Sequence, residues 1–309
     1  MNQHIRTIGI LGAGAVGSYL VMGLSDKFKE NLWIIADGER KERLEKNGLN
    51  INDKSYSLHV KTPSDAHGVD ILFVCLKYTQ LHDALPDIET IADEHTMVVS
   101  LLNGVDSEEI IGQRIGMEHM IHSLIRIASQ RVGNSIHFPL PKGYNGIYVG
   151  IPDKQADQDS RLAAIAEIFA DTPVTLHLSD NILLDIWDKF GLNVSRNLPQ
   201  AILGVGIGAY DDSTYVDAIM RKMRHEVVLV ANAKGIPLKE EFKAGKWLPA
   251  QRYSTLQDLD AGRKTEIDMF SGALVRMGKE LGIECPYNEM AYNLIKALEE
   301  KNDGKFDYE

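Results

Sequence analysis

The 309-residue chain has only two cysteines, Cys75 and Cys285. They stand far apart, each within an apolar run. That excludes a disulfide framework and predicts reduced, buried thiols in a cytoplasmic protein. Basic side chains are the minority, 33 against 44 acidic ones, for a formal net charge of −11. A surface of that sign repels nucleic acid and anionic lipid, so neither is expected as a partner, and a small anionic substrate would need a locally basic site. No apolar run reaches the length of a membrane span. The apolar stretch from Ile8 to Val16 is broken by Gly9, Gly12 and Gly14. It is too short for the core of a signal peptide. There is no internal repeat or low-complexity segment, and no metal is expected. Apolar residues make up 44% and charged residues 25%, the balance of a globular protein, and the length suits two domains.

The two halves differ in texture. From Thr7 to about Leu178, short apolar runs alternate with helical stretches: Ile8–Leu11, Leu32–Ile35, Ile71–Leu76 and Met97–Leu102. Fully apolar strands of this length are buried on both faces, which predicts a parallel sheet covered by helices. The stretch from His119 to Gly150 is rich in β-formers, and Asp157 to Ala170 reads as a helix. After Ser179-Asp180, a candidate N-cap, the pattern becomes helical: Asn181–Leu203, Tyr215–Lys234, Asp258–Gly282 and Glu289–Leu298, with a frayed polar tail from Glu299. The predicted fold class is α/β: an N-terminal Rossmann-type doubly wound sheet over residues 1–178, followed by an all-helical domain over 179–309.

Gly12-Ala13-Gly14-Ala15-Val16-Gly17 follows the first strand and opens a helix. In that context Gly12 permits the tight turn, Gly14 lets the backbone approach a pyrophosphate, and Gly17 lets the helix pack on the sheet. The pattern predicts a nicotinamide dinucleotide with its diphosphate at the helix N-terminus. Asp37 lies just past the second strand, where a carboxylate binds the adenosine ribose hydroxyls of NAD and repels the extra phosphate of NADP. Arg40 and Lys41 follow within a turn and offer that phosphate a partner. The same charges also suit a solvated first helical turn, so the choice of cofactor stays open here. Lys77 and Asn103 each follow a buried strand, at the carboxyl edge where open sheets bind ligands; as isolated residues they fit turns equally well.

In the second half, Lys189 stands within an apolar helical pattern. Lys189, Asn193 and Asn197 are spaced by four, which predicts one shared face. An ammonium flanked by two amides would grip a carbonyl oxygen and a carboxylate, stabilise a developing alkoxide and donate a proton. The alternative is a snorkelling lysine with two surface amides. A second block, Ser254 to Asp268, holds Ser254, Asp258, Arg263, Thr265 and Glu266. It reads either as a capped helix start or as a substrate-binding segment with Ser254 and Glu266 in it.

Together these residues resemble the ketopantoate reductases (2-dehydropantoate 2-reductases), over nearly the whole chain. The resemblance runs from Gly12–Gly17 through Cys75-Leu-Lys77 and Asn103-Gly104 to Trp187-Asp-Lys189-Phe-Gly-Leu-Asn193. It continues through Asn197-Leu-Pro199 and Ser254–Asp258 to Arg263-Lys-Thr265-Glu266-Ile-Asp268. It implies NAD(P)H-dependent reduction of 2-dehydropantoate to pantoate, the step that feeds pantothenate and coenzyme A synthesis. Lys189 would be the general acid, with Glu266, Asn103, Asn193, Asn197 and Ser254 binding or orienting the substrate and the nicotinamide end. It implies NADPH as the family's usual cofactor and is compatible with a homodimer through the helical domain.

Three positions depart from the family pattern. Asp37 replaces a common arginine, Ser123-Leu124 replaces glycines at a strand end facing the cofactor, and Gly204–Gly208 lacks an amide found in some relatives. The first bears on NADPH against NADH; the others bear on which 2-keto acid is reduced. The competing readings are a paralogous reductase of another 2-keto acid, a 3-hydroxyacid dehydrogenase, and a nicotinamide-binding regulatory protein without catalysis. The 254–268 block and the absence of a serine-glycine-glycine turn before Lys189 speak against the dehydrogenase. The presence of both Lys189 and Glu266 speaks against a sensor.

Overall fold

A computed structural model describes residues 4–138, 145–242 and 248–308. The chain forms two compact units, one ending at Leu183 and one beginning at Leu184, so the division falls inside a helix, a few residues past the change of texture at 178.

The strands of the first unit, in chain order, are β1 (Ile8–Leu11), β2 (Leu32–Ile35), β3 (Leu49–Ile51), β4 (Lys54–Tyr56), β5 (His59–Lys61), β6 (Ile71–Val74), β7 (Met97–Ser100), β8 (Met120–Arg126), β9 (Gln130–Val132), β10 (Ser135–His137), β11 (Gly146–Gly150) and β12 (Leu176–Leu178). Eight of them form one sheet in the order β12-β11-β8-β7-β6-β1-β2-β5. From β5 to β8 every pairing is parallel, and β11 joins β8 antiparallel. The order reverses on either side of β1, so the carboxyl end of β1 is a topological switch point, where doubly wound sheets bind ligands. The helices of this unit are α1 (Ala15–Phe28), α2 (Gly38–Asn47), α3 (Leu81–Ile91), α4 (Ser107–Ile115) and α5 (Ser160–Phe169). Its core takes Ile8, Ile10, Leu20, Phe73, Val99 and Ile147; the β-branched residues suit the pleated, doubly covered sheet. The β-formers after His119 supply β8 and β11 to this sheet and β9 and β10 to a second sheet of order β4-β3-β10-β9.

The second unit is helical. Helix α6 (Ile182–Leu192) leads into it, followed by α7 (Leu198–Leu203), α8 (Ala209–Asp212), α9 (Thr214–Ala233), α10 (Ser254–Asp260), α11 (Ala273–Leu281) and α12 (Pro286–Asn302). Two segments are π-helical, Asn193–Asn197 and Asp268–Gly272. Three expectations are corrected here. The helix read over Asn181–Leu203 is interrupted by the first π turn. The helix read over Asp258–Gly282 is broken: α10 stops at Asp260, Gly262 follows with φ +64°, and the helical path resumes only at the second π turn. The last helix extends past Leu298 to Asn302, because Glu299 is buried and accepts bonds from the N–H (2.7 Å) and Oγ1 (2.6 Å) of Thr265 rather than fraying.

Both cysteines are free and buried, and burial pushes their thiols up, that of Cys285 to about 11. Among the described residues no helix is long and apolar enough to cross a membrane.

Candidate active site

The turn between β1 and α1 is built for close approach. Gly12 has φ +110°, and a Cβ there would lie 2.6 Å from the carbonyl oxygen of Cys75. A Cβ on Gly17 would overlap the carbonyl oxygen of Gly12, so helix and strand pack at this distance only with glycine. Gly14 is different: a Cβ there would meet nothing within 4 Å, and Gly14 is the uncapped N-cap of α1, whose first turn holds no acid. Free N–H groups, a positive helix end and open space at Gly14 fit a dinucleotide diphosphate.

Asp37 is the N-cap residue of α2, yet its carboxylate caps nothing and is exposed. The carboxyl of Asp87 on α3 is pushed up by burial and then by the negative charge of Asp37, so two acids share this neighbourhood. Lys41 is committed elsewhere: its Nζ donates to the carbonyl of Val60 at 3.0 Å and pairs with Glu45 at 3.0 Å. Arg40 is exposed. Of the basic pair seen in the sequence, Lys41 is therefore already engaged, and two carboxylates share the end of β2.

Val74 pairs with Ser100, so Lys77 and Asn103, each three residues further on, leave the same edge of the sheet. Lys77 is exposed; Asn103 is half-buried and precedes Gly104, which has φ +101°. Behind Asn103 lies a buried polar network that the sequence does not disclose. Ser100 and Ser107 share a bond of 2.7 Å between hydroxyls, Ser107 Oγ bonds Glu108 Oε2 at 2.8 Å, and the N–H of Ser123 donates to Glu108 Oε1 at 3.3 Å. The hydroxyl of Ser123 donates to the carbonyl of Ser100. Burial pushes the carboxyl of Glu108 up to about 7. The network ties β7, β8 and the start of α4 together and so fixes both ends of the loop that carries Asn103.

In the second unit, Lys189 and Asn193 are half-buried and one turn apart, as the spacing predicts. Asn197 closes the π turn that Asn193 opens. Asn197 is 2% exposed; its Oδ1 accepts from the N–H of Thr255 at 3.3 Å and its Nδ2 contacts Ser254 Oγ at 3.4 Å. It therefore docks the N-terminus of α10, and it does bring Ser254, itself exposed, to the π turn.

Glu266 is half-buried in the break between α10 and the second π turn, and α12 anchors the residues around it. Thr265 is held by Glu299; Asp268 accepts from Tyr292 Oη at 2.8 Å and Lys296 Nζ at 2.7 Å, and those bonds hold its carboxyl below the usual range despite burial. The two π turns pack against each other. Asn193 opens the first of these turns, Lys189 stands one helical turn before it, and Glu266 stands two residues before the second. π turns of this kind recur at functional sites because they re-aim side chains.

Two supports escape sequence reading because their partners are remote. Arg224 on α9, 1% exposed, donates from Nη2 to the carbonyl of Lys239 (2.8 Å) and to Asp188 Oδ1 (3.4 Å), next to Lys189. Glu226 accepts from the N–H of Tyr287 (2.9 Å) and of Asn288 (2.9 Å), capping α12 from α9.

A glycine-rich βα turn at a switch point and a helical unit presenting lysine, asparagine and glutamate define a dinucleotide-dependent oxidoreductase of two-unit type. The chain belongs to the ketopantoate reductase family: the family profile "Ketopantoate reductase PanE/ApbA" matches residues 8–152, and "Ketopantoate reductase PanE/ApbA C terminal" matches 181–299. A curated 2-dehydropantoate 2-reductase of Archaeoglobus fulgidus is 28% identical over 306 residues, covering 96% of this chain and 99% of that protein. Among solved structures, a PanE/ApbA family ketopantoate reductase from Ralstonia eutropha JMP134 superposes with a TM-score of 0.79 at 27% identity, covering 96% and 99% of the two chains. A D-mandelate dehydrogenase solved with NADH and anilino(oxo)acetate superposes with a TM-score of 0.81 at 25% identity and the same coverage.

Proposed function

We propose that this protein is a cytoplasmic 2-dehydropantoate 2-reductase that uses NADH, with residues 1–178 as its dinucleotide-binding domain and 179–309 as its helical substrate domain. The observation that carries the reading is the packing of the π turn that follows Lys189 and opens at Asn193 against the π turn that follows Glu266, in a chain whose curated relatives bear this name.

Bound nicotinamide supplies the hydride. The backbone N–H groups at Gly12–Gly17 hold the diphosphate, and Asp37 takes the adenosine ribose hydroxyls. Asn103 and Lys77 line the edge of the sheet beside the cofactor. Asn193 and Ser254 bind the 2-keto acid, and Lys189 Nζ places a charge-assisted hydrogen bond on the C2 oxygen. As negative charge grows on that oxygen, the ammonium stabilises it and then gives up its proton, so the product leaves as the alcohol. Glu266 orients Lys189 and the substrate, while Asn197 holds Ser254 in place. A homodimer is the assembly proposed; a dimeric ketopantoate reductase from Staphylococcus aureus shares the fold.

A second reading, reduction of an aryl 2-keto acid, is favoured by the likeness to D-mandelate dehydrogenase. Steady-state assays with ketopantoate and phenylglyoxylate, each with NADH and NADPH, separate the readings. The expected result is turnover of ketopantoate with NADH preferred about tenfold or more, since two acids near the ribose disfavour the extra phosphate. In Asp37→Ser that preference should narrow. Turnover of phenylglyoxylate alone sinks the ketopantoate reading, and equal use of both cofactors sinks the role given to Asp37.

A further inference from the structure

The carboxyl edge of the large sheet holds a buried histidine that the proposed chemistry does not use. Leu11, Val74 and Ser100 share one level across β1, β6 and β7, and the pairing of Val99 with Ile121 puts His122 of β8 next on that level. His122 is 9% exposed, and among the described residues its Nδ1 has no hydrogen-bond partner. Its strand neighbours leave it alone. Ser100 spends its hydroxyl on Ser107, and Gly150, directly opposite His122, has no side chain to meet it. Gly150 has no freedom to gain one, because a Cβ there would lie 2.7 Å from Ile182 Cβ and 2.8 Å from the carbonyl oxygen of Ser179.

An unpartnered imidazole is a poor core residue, since burying a polar nitrogen without a bond costs free energy that a leucine in the same strand would not. The cost is recovered when a ligand supplies the partner. The direction of the edge says which ligand. The diphosphate site lies at β1 and the adenosine acids lie on the β2 side, so the other half of a dinucleotide extends over β6 and β7 towards β8. With strands about 4.8 Å apart, β8 stands roughly 14 Å from β1, at the far end of that path.

We infer that His122 is a cofactor-contacting residue whose neutral imidazole hydrogen-bonds the carboxamide of the bound nicotinamide. The inference rests on the dinucleotide reading of this unit, not on the identity of the keto acid. The chemistry matches: a neutral imidazole offers one N–H and one lone pair, and a primary amide offers a carbonyl and an NH2, so either tautomer finds a partner. Burial pushes the imidazole down to about 4, which keeps it neutral at physiological pH. A neutral donor here adds no charge against the nicotinamide ring, as a lysine would.

The test measures binding without turnover. NADH and ADP-ribose, which lacks the nicotinamide, are titrated calorimetrically into the wild-type chain and into His122→Phe, His122→Ala and His122→Asn. The expected result is about a tenfold weaker NADH affinity in the phenylalanine and alanine variants, ADP-ribose affinity within about twofold of wild type, and partial recovery in the asparagine variant. The alanine variant guards against overpacking by phenylalanine. Equal loss for both ligands would mean that His122 only supports the fold, and no loss for NADH would mean that it meets no carboxamide; either result overturns the inference. If the wild-type chain binds neither ligand, the dinucleotide reading falls and takes this one with it. Binding of NADH without any turnover of ketopantoate would sink the substrate assignment alone.

Discussion

Replacing Lys189 with alanine is expected to lower kcat about a thousandfold, some 4 kcal/mol of transition-state stabilisation, while NADH affinity stays within about twofold. The expectation follows from where the lysine stands. It precedes a π turn, half-buried, on a helix that Arg224 braces through Asp188. No residue of the diphosphate-binding turn lies near it in sequence, so cofactor binding and proton donation separate in one substitution. Steady-state kinetics with ketopantoate, together with NADH titration and a thermal melt of the same sample, check all three quantities. A general acid acts in the transition state, so kcat and kcat/KM should fall together. A fall in kcat/KM alone, through a raised KM, would reduce Lys189 to a substrate anchor. Unchanged turnover would return it to the snorkelling lysine that its spacing also allows. A regulatory protein without catalysis would show no turnover in either form.

The parts of the site that are legible in the sequence are the ones set by short-range geometry. The Gly12–Gly17 turn is readable because each glycine answers a local contact: a positive φ at Gly12, an overlap with Gly12 at Gly17, open space at Gly14. The alternation of apolar strands with helices reveals the parallel sheet, and the carboxyl-edge placement of Lys77 and Asn103 follows from strand ends alone. The helical half is harder. Counting in fours assumes an unbroken α-helix, and the π turn over Asn193–Asn197 interrupts it with no proline or glycine inside it to announce the change. The same limit hides the break after Asp260, where only Gly262 interrupts an otherwise helical composition.

What cannot be read at all depends on contacts distant in sequence. Glu299 looks like the start of a polar tail until Thr265, 34 residues earlier, is seen donating two hydrogen bonds to it. Glu226 reads as one more acid on an amphipathic helix, yet it caps α12 some 61 residues away. The cofactor question moves in the same way. Arg40 and Lys41 are equal in the sequence, but Val60 and Glu45 occupy Lys41, and Asp87 arrives beside Asp37 from another helix. The proposed preference for NADH is therefore a tertiary argument built on a residue, Asp37, that the strand pattern already singles out.

Glu108 gives the largest expected effect on stability. Its carboxyl sits at about 7 instead of the ordinary 4.5, because burial penalises the charged form more than Ser107 and the N–H of Ser123 favour it. The folded state therefore holds a proton that the unfolded chain releases near pH 4.5. Stability from this group is full below that pH, declines as pH rises to about 7, and is constant above; the whole decline is about 3 kcal/mol. Glutamine reproduces the protonated form. Its amide N–H2 donates to Ser107 Oγ, whose hydrogen turns towards Ser100, and its carbonyl accepts from the N–H of Ser123. Glu108→Gln should thus exceed the wild-type chain by about 1 kcal/mol at pH 5 and by about 3 kcal/mol at pH 8. His122, pushed down to about 4, also titrates differently in the two states, but its contribution is common to both proteins and cancels in the difference. Urea unfolding of both at pH 5, 6.5 and 8 checks this. A difference that does not change with pH would show that Glu108 is ionised in the fold, held by Ser107 and Ser123 as a buried carboxylate. A difference that widens between pH 5 and 7 would show the network behind Asn103 to be built on a protonated acid.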